Sequence, residues 1–372
     1  MKKISKKVTL LFSILALVVI FVACDSNNDG SSSSGASNVS LDGVPEVFQR
    51  EQRPRLMVIR QIGGDDHTAQ FLAGAQREGE ALGFDVTTFT ANGNTPQFHD
   101  AIAQAIQEGY DAFVISHGSD DATVGYVRQI VESGASLVAF DSHGDIADID
   151  GATLTSQDDV ALAQHALDAL VASTGGEGNI IYLWVDGFPP MVRRNVVYQS
   201  ILDANPGLNE IGRFGVAADD TTLQTQNAVN AMLISHGVGE IDAIFATWDA
   251  FALGATQALT ESGREEIPIF GIDISNQALQ IMQEENSPWK YSAAVDPALV
   301  GAVTVRIAAM QLAGYDTPDT YDLEAALISQ SDLLASNEPV NMVTLADVIP
   351  GWGQSDSFNQ PWMDTLREFH GR

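Results

Sequence analysis

The sequence predicts two similar α/β halves, each a parallel sheet with helices between its strands. Three observations support this: short apolar runs alternate with longer segments of helical periodicity, glycines stand where helices should stop, and the series restarts near Asn179. Strand and helix alternating at this spacing build parallel sheets with right-handed crossovers.

In the first half, apolar strands over 56–59, 84–89, 112–115 and 136–140 alternate with helices over 69–82, 98–108 and 123–133. Gly83, Gly109 and Gly134 follow those helices, matching the preference for glycine just past a helix C-terminus. The second half places strands over 180–184, 211–216, 243–247 and 267–272. Its clearest unit is 244–259, a buried strand that stops at Trp248 and Asp249 and restarts as a helix carrying Phe251, Leu253, Ala255 and Leu259 on a helical repeat. A strand feeding a helix in this way puts Trp248 and Asp249 at the carboxyl edge of a parallel sheet, the edge where open α/β folds bind ligands.

Ahead of these halves, four lysines precede an apolar run over 8–23, the length of a signal-peptide core and short for a membrane span. The run ends Phe21-Val22-Ala23-Cys24, and Cys24 is the only cysteine of the chain, so no internal disulfide can use it. These residues resemble a bacterial lipoprotein lipobox, with Phe21 where leucine is usual. The resemblance implies a lipidated Cys24 as the mature N-terminus; the alternative is a cleaved secretory signal with an incidental thiol. A flexible tether is expected over 24–54, its first part rich in Ser, Asn, Gly and Asp.

The formal charge of −31 becomes −35 once the four lysines of residues 1–23 are removed. That excludes nucleic acid, whose phosphates need a basic footprint. Lys290 is then the one lysine, beside thirteen arginines, a balance suited to a salty surrounding in which carboxylates repel less.

Catalytic signatures are missing: no G-x-S-x-G elbow, no H-E-x-x-H, no phosphate loop and no cysteine pair for a metal. Neither a cofactor nor a metal is expected. The strand ends instead carry a recurring choice of residues: Asp65, Asp66 and His67; Ser116 and His117; Asp141; then Trp184, Asp186 and Phe188; Asp219 and Asp220; Trp248 and Asp249; and Asp273. Carboxylates accept from neighbouring hydroxyls, an arginine such as Arg194 donates to them, and an aromatic face covers the C–H patch of a sugar ring. Each residue also has a plainer reading. An aspartate after a strand can be the N-cap of the next helix, Trp184 and Trp248 can fill a core, and Arg194 can be a surface ion pair.

The first-helix Gly74-Ala75-Gln76, Phe140-Asp141, the run from Phe245 to Ala255 and Phe270-Gly271-Ile272-Asp273 resemble the type I periplasmic binding proteins of the ribose and galactose class, over about residues 56–313. The resemblance implies two doubly wound lobes joined by a three-strand hinge, with crossings near 155–158, near 295–297 and in the loop before Val340. The lobes would be 55–156 with 297–339, and 157–296 with 340–350. The segment 351–372 is expected to pack over the hinge or a lobe. A helix over 299–312 would return to the first lobe and a strand over 342–345 to the second. Asp141, Asp273 and Arg194 fall on the family's sugar-contacting positions, His67 near its stacking aromatic, and Trp248 on a frequent asparagine.

Together with Asp65, His67, His117, Phe188, Asp220, Trp248, Asp249 and Asp296, these three make the expected binding set. The function implied is capture of a monosaccharide by a monomeric lipoprotein and its delivery to an ABC permease and ATPase, with no chemical step. Alternatives are a sensor lipoprotein serving a chemoreceptor or kinase, the same fold binding a nucleoside, autoinducer-type sugar or vitamin, and a glycoside hydrolase working through paired carboxylates.

Overall fold

The computed structural model describes residues 39–64, 66–218 and 220–371. The export signal, Cys24 and Asp65 lie outside the described residues. Part of the segment expected to be a tether is built into the fold. Val44 and Phe48 are buried, and a 3-10 turn over Glu46–Phe48 sets the Phe48 ring edge-on to Phe84 and stacked on Trp362, each at 5.2 Å between centroids. The tether expectation over 24–54 fails there because these side chains carry apolar surface that the first lobe covers.

The first sheet uses β1 (Arg55–Arg60), β2 (Asp85–Thr90), β3 (Ala112–Ser116), β4 (Ser136–Phe140) and β5 (Ala152–Gln157), separated up to β4 by α1 (Asp66–Ala81), α2 (Thr95–Glu108) and α3 (Asp121–Glu132). After α4 (Asp159–Thr174), the second uses β6 (Glu177–Leu183), β7 (Gly207–Phe214), β8 (Ala243–Ala246), β9 (Ile269–Ile272) and β10 (Trp289–Ala294), with α5 (Pro189–Ala204), α6 (Thr221–Ser235), α7 (Asp249–Ser262) and α8 (Asn276–Met282) between them. The chain continues through α9 (Pro297–Leu312), β11 (Thr320–Leu323), β12 (Ala326–Ser329), α10 (Gln330–Ala335) and α11 (Pro361–Phe369).

Strand order is β11-β5-β4-β3-β1-β2 in one sheet and β12-β10-β9-β8-β6-β7 in the other. All pairs are parallel except β10 with β12. Central strands β3, β4, β8 and β9 are buried at every residue, which is why they read as unbroken apolar runs rather than alternating ones. Edge strand β2 is half open and accordingly mixes Asp85, Thr87 and Thr88 with Val86 and Phe89.

The sheet membership of the strands locates the crossings. β5 ends in the first sheet and α4 packs on β8, β9 and β10 of the second; β10 ends in the second and α9 packs on β3 and β4 of the first. The third crossing is at Glu324–Ala325, between β11 and β12, not in the loop before Val340. The strand expected over 342–345 is instead a turn and a 3-10 helix, Leu345–Asp347, with Met342 and Leu345 buried and Val343 exposed. A fourth crossing follows. Trp352 sits in the core of the second lobe and Trp362 in that of the first, and between them Gly353 passes the hinge so closely that a Cβ there would lie 2.6 Å from Asp296 Oδ2.

Return of α9 to the first lobe depends on two glycines. A Cβ on Gly74 of α1 would stand 2.1 Å from the Ala298 carbonyl oxygen, and one on Gly301 of α9 2.2 Å from that of Phe71, so the helices touch backbone to backbone. Gly254 of α7 meets the Thr222 carbonyl in α6 in the same way, at 2.4 Å. Gly301→Ala should therefore lower unfolding stability by about 1–3 kcal/mol through overpacking. Gly125→Ala, on an open face of α3, should raise it by roughly 0.5–1 kcal/mol through helix propensity. Guanidinium midpoints of the two variants check both signs.

Candidate functional site between the sheets

The carboxyl ends of β4, β8 and β9 and the start of α5 converge on one charge network. Asp159, the first residue of α4 and 1% exposed, takes Arg193 Nε at 2.8 Å and Nη2 at 2.5 Å on one oxygen, and Arg194 Nε at 2.8 Å on the other. Arg194 is also 1% exposed. Its Nη1 donates to the Thr247 carbonyl at 2.6 Å and to Asp273 Oδ2 at 3.2 Å, and its Nη2 reaches Asp273 Oδ1 at 3.4 Å. Arg193 continues across the cleft, from α5 of the second lobe to Asp141 of the first, at 3.3 Å. A bidentate arginine fork fixes the plane of the carboxylate it holds, so Asp273 is oriented rather than merely nearby, while Asp141 is held by one bond.

A second cluster adjoins it on the first lobe. Arg60, the last residue of β1 and 1% exposed, donates from Nε to Thr68 at 3.0 Å and from Nη1 to Ser116 at 3.3 Å, and its Nη2 lies 3.0 Å from His67 Nδ1. Because a guanidinium only donates, His67 Nδ1 is an acceptor and the imidazole proton sits on Nε2. Ser116 Oγ is 2.6 Å from His117 Nδ1, and His117 packs edge-on to Phe140 at 5.7 Å.

Backbone geometry explains why these side chains share one edge. Among the described residues, five non-glycines have positive φ, and three are His117 (65°), Asp141 (45°) and Asp273 (69°). Each still donates its N–H to the neighbouring strand, to Phe140, Thr155 and Ala293 respectively, at 2.8–2.9 Å. The left-handed turn comes directly after the last ladder bond. Such turns cost a non-glycine residue about 1–3 kcal/mol and persist where the surroundings over-determine them; here the ladder bond is on one side and, for the two aspartates, the arginine network is on the other.

Other expected residues are placed differently. Phe188 precedes α5 and is 43% exposed; Trp248 precedes α7, half-buried and edge-on to Phe251 at 5.6 Å; half-buried Asp249 opens α7. Asp220 is exposed and its carboxylate holds the Gln224 amide at 2.6 Å, a contact within its own helix. Asp296 caps α9, accepting from the Ala298 N–H at 2.9 Å. Trp184 donates its indole N–H to the Met191 carbonyl at 2.7 Å and so anchors α5. Asp66 crosses the cleft, its Oδ2 accepting from the Asn276 backbone N–H at 2.8 Å and side-chain amide at 3.0 Å. Arg60, Asp159 and Gln157 were not anticipated from the sequence. Their signals were a lone cation ending the apolar run Leu56–Ile59, and polar residues at the first crossing.

Burial and the nearby Asp159 carboxylate push the Asp141 carboxyl up to about 8, against the pull of Arg193, Arg194 and Arg60. Asp273 is also raised by burial, against the pull of Arg194. Burial first, then the Arg60 charge, hold His67 and His117 well below 6.5. A carboxyl that keeps its proton more firmly folded than unfolded stabilises the fold at acid pH. That contribution is lost as pH rises from about 4 to about 8. Histidines kept neutral act in the opposite direction: their contribution is present above 6.5 and lost as pH falls below it. Asp141→Asn should therefore flatten the decline in melting temperature between about pH 4 and 8 and leave the acid-side loss in place. Thermal melts of ligand-free protein across that range check it.

The periplasmic binding protein domain family matches residues 57–316. A crystal structure of a sugar ABC transporter protein from Yersinia enterocolitica is 46% identical, with a TM-score of 0.82 over 88% of this chain and 98% of that one. The 5-methylthioribose transporter solute-binding protein of Thermotoga lettingae, solved with 5-methylthioribose, is 28% identical, with a TM-score of 0.78 over 84% and 98%. The xylitol-binding protein of Mycolicibacterium smegmatis is 28% identical over 187 residues, 50% of this chain and 52% of that protein, so the chain spans about half the length of that relative. Two mainly parallel sheets joined by repeated crossings, with the family matched over most of the chain, place this protein in the periplasmic binding protein domain family.

Proposed function

We propose that this protein captures a small neutral polyhydroxylated solute, a monosaccharide or polyol of about the size of ribose or xylitol, between its lobes and delivers it to an ABC permease and its ATPase. The single observation that carries the reading is the network in which Arg193 and Arg194 tie Asp159, Asp273 and, across the cleft, Asp141. Acceptors and donors alternate along it, which suits hydroxyl groups because each can both give and take a hydrogen bond. Within this network each carboxyl already faces an arginine, so it offers an ionic ligand no uncompensated partner.

His67, His117, Phe188, Trp248 and Asp249 would complete the lining, Trp248 covering an apolar face of the ligand. Ligand contacts from both lobes would hold the closed form. Support for the solute class comes from the xylitol-binding relative and the 5-methylthioribose transporter protein. Export and a lipid anchor at Cys24 complete the proposal, with the domain working as a monomer beside the membrane.

The test is titration calorimetry of the domain from residue 39 onward with xylitol, D-ribose, 5-methylthioribose and D-glucose. Binding of a five-carbon member should weaken roughly ten- to hundredfold in Asp273→Asn, which keeps the shape but loses the charge-assisted bonds. Binding of none of the four, or binding indifferent to Asp141→Asn and Asp273→Asn alike, would overturn the proposal.

A further inference from the structure

Gln157 ends β5 at the first crossing between the lobes, opposite Leu323 of β11, and is 5% exposed. Its side chain lies within reach of the Asp273 carboxylate. The Asp273 carboxylate, already facing Arg194, can only accept, so it is the NH2 end of the amide that turns toward it. This fixes the other end: Oε1 is an acceptor directed away from Asp273, buried, and without a hydrogen-bond donor among the described residues. The other buried side-chain atoms in that condition are the indole nitrogens of Trp352 and Trp362, both in the C-terminal segment. A buried acceptor without a donor is a cost that a fold keeps only where something else supplies the proton.

The surroundings narrow what that donor is. Asp158 next in the chain spends its carboxylate on capping α4, and Asp159 spends both oxygens on Arg193 and Arg194. The buried Arg194 guanidinium that faces Asp273 is held by Asp159, Asp273 and the Thr247 carbonyl, and its charge disfavours a second cation. A neutral O–H meets both conditions.

We propose that Gln157 reads one hydroxyl of the bound solute: its Oε1 accepts from a hydroxyl of a neutral polyol whose other groups meet Asp141, Asp273 and Arg194. The assignment rests on the polyol reading above and adds a selectivity element at the end of a first-lobe strand, where the chain crosses to the second lobe.

The experiment compares wild type with Gln157→Leu and the longer, unbranched Gln157→Met by calorimetry against xylitol, D-ribose and the mono-deoxy analogues of each. Wild type should reject one deoxy analogue by roughly ten- to hundredfold, since a site built to pair a hydroxyl is left with an orphan group without it. Either variant should bring that one ratio to about one and leave the penalties at other positions intact, a pattern that general loosening of the fold cannot produce. A variant that keeps every penalty would show that Oε1 faces buried water and would overturn the role of Gln157 while the polyol reading stands. Failure of wild type to bind either parent solute would overturn the polyol reading and this role with it.

Discussion

Asp159 is the anchor on which the cleft depends. It is buried, it opens the helix that follows the first crossing, and both of its oxygens are committed to two consecutive arginines of α5. Taking the Asp159 carboxylate and the Arg194 guanidinium out of water is expensive, and the arrangement is tolerable because Arg194 is also held by the Thr247 carbonyl and Asp273 while Arg193 keeps part of its side chain in solvent. Removing Arg194 or Asp159 leaves a buried charge without its partner, a cost of about 3–5 kcal/mol. The network therefore specifies geometry more than it adds stability: it holds strand ends of both lobes in register around one point.

Contact between the lobes outside the covalent crossings is light. Among the described residues, Arg193 with Asp141 and Asp66 with Asn276 are polar links across the opening, and Asn276 in turn accepts from the Met342 N–H. The exposed Asp66–Asn276 link contributes little. A ligand that bonds to both lobes would add to these few links.

Most of the architecture was legible because fully buried parallel strands leave unbroken apolar runs and the helices between them end at glycines such as Gly109, whose φ is 70°. What escaped notice was short or mixed. β11 and β12 have four residues each, too few for a periodicity, and β11 includes Thr320 and Asp322. The run Met342 to Leu345 has strand composition but buries its ends in a turn. At the site, Asp141, Arg194 and Asp273 were readable as strand-end and helix-start polar residues. Arg60 was hidden inside a strand, and Asp159 follows Asp158 at a helix start with nothing in the sequence to mark it as the partner of two arginines. Asp296 caps α9 and Asp220 bonds Gln224 within its own helix, contacts of the plainer kind open to an aspartate at a helix start.

The fourth crossing has a mechanical meaning. Phe48 stacks on Trp362, and Trp362 also lies against Tyr315 at 6.3 Å, so the segment entering the domain and the segment arriving from Gly353 are fastened to the same lobe. A load applied at Val44 or carried through Gly353 enters by the first lobe, which makes that lobe the mounting of the domain and leaves the half that carries Arg193, Arg194 and Asp273 attached to it through the crossings.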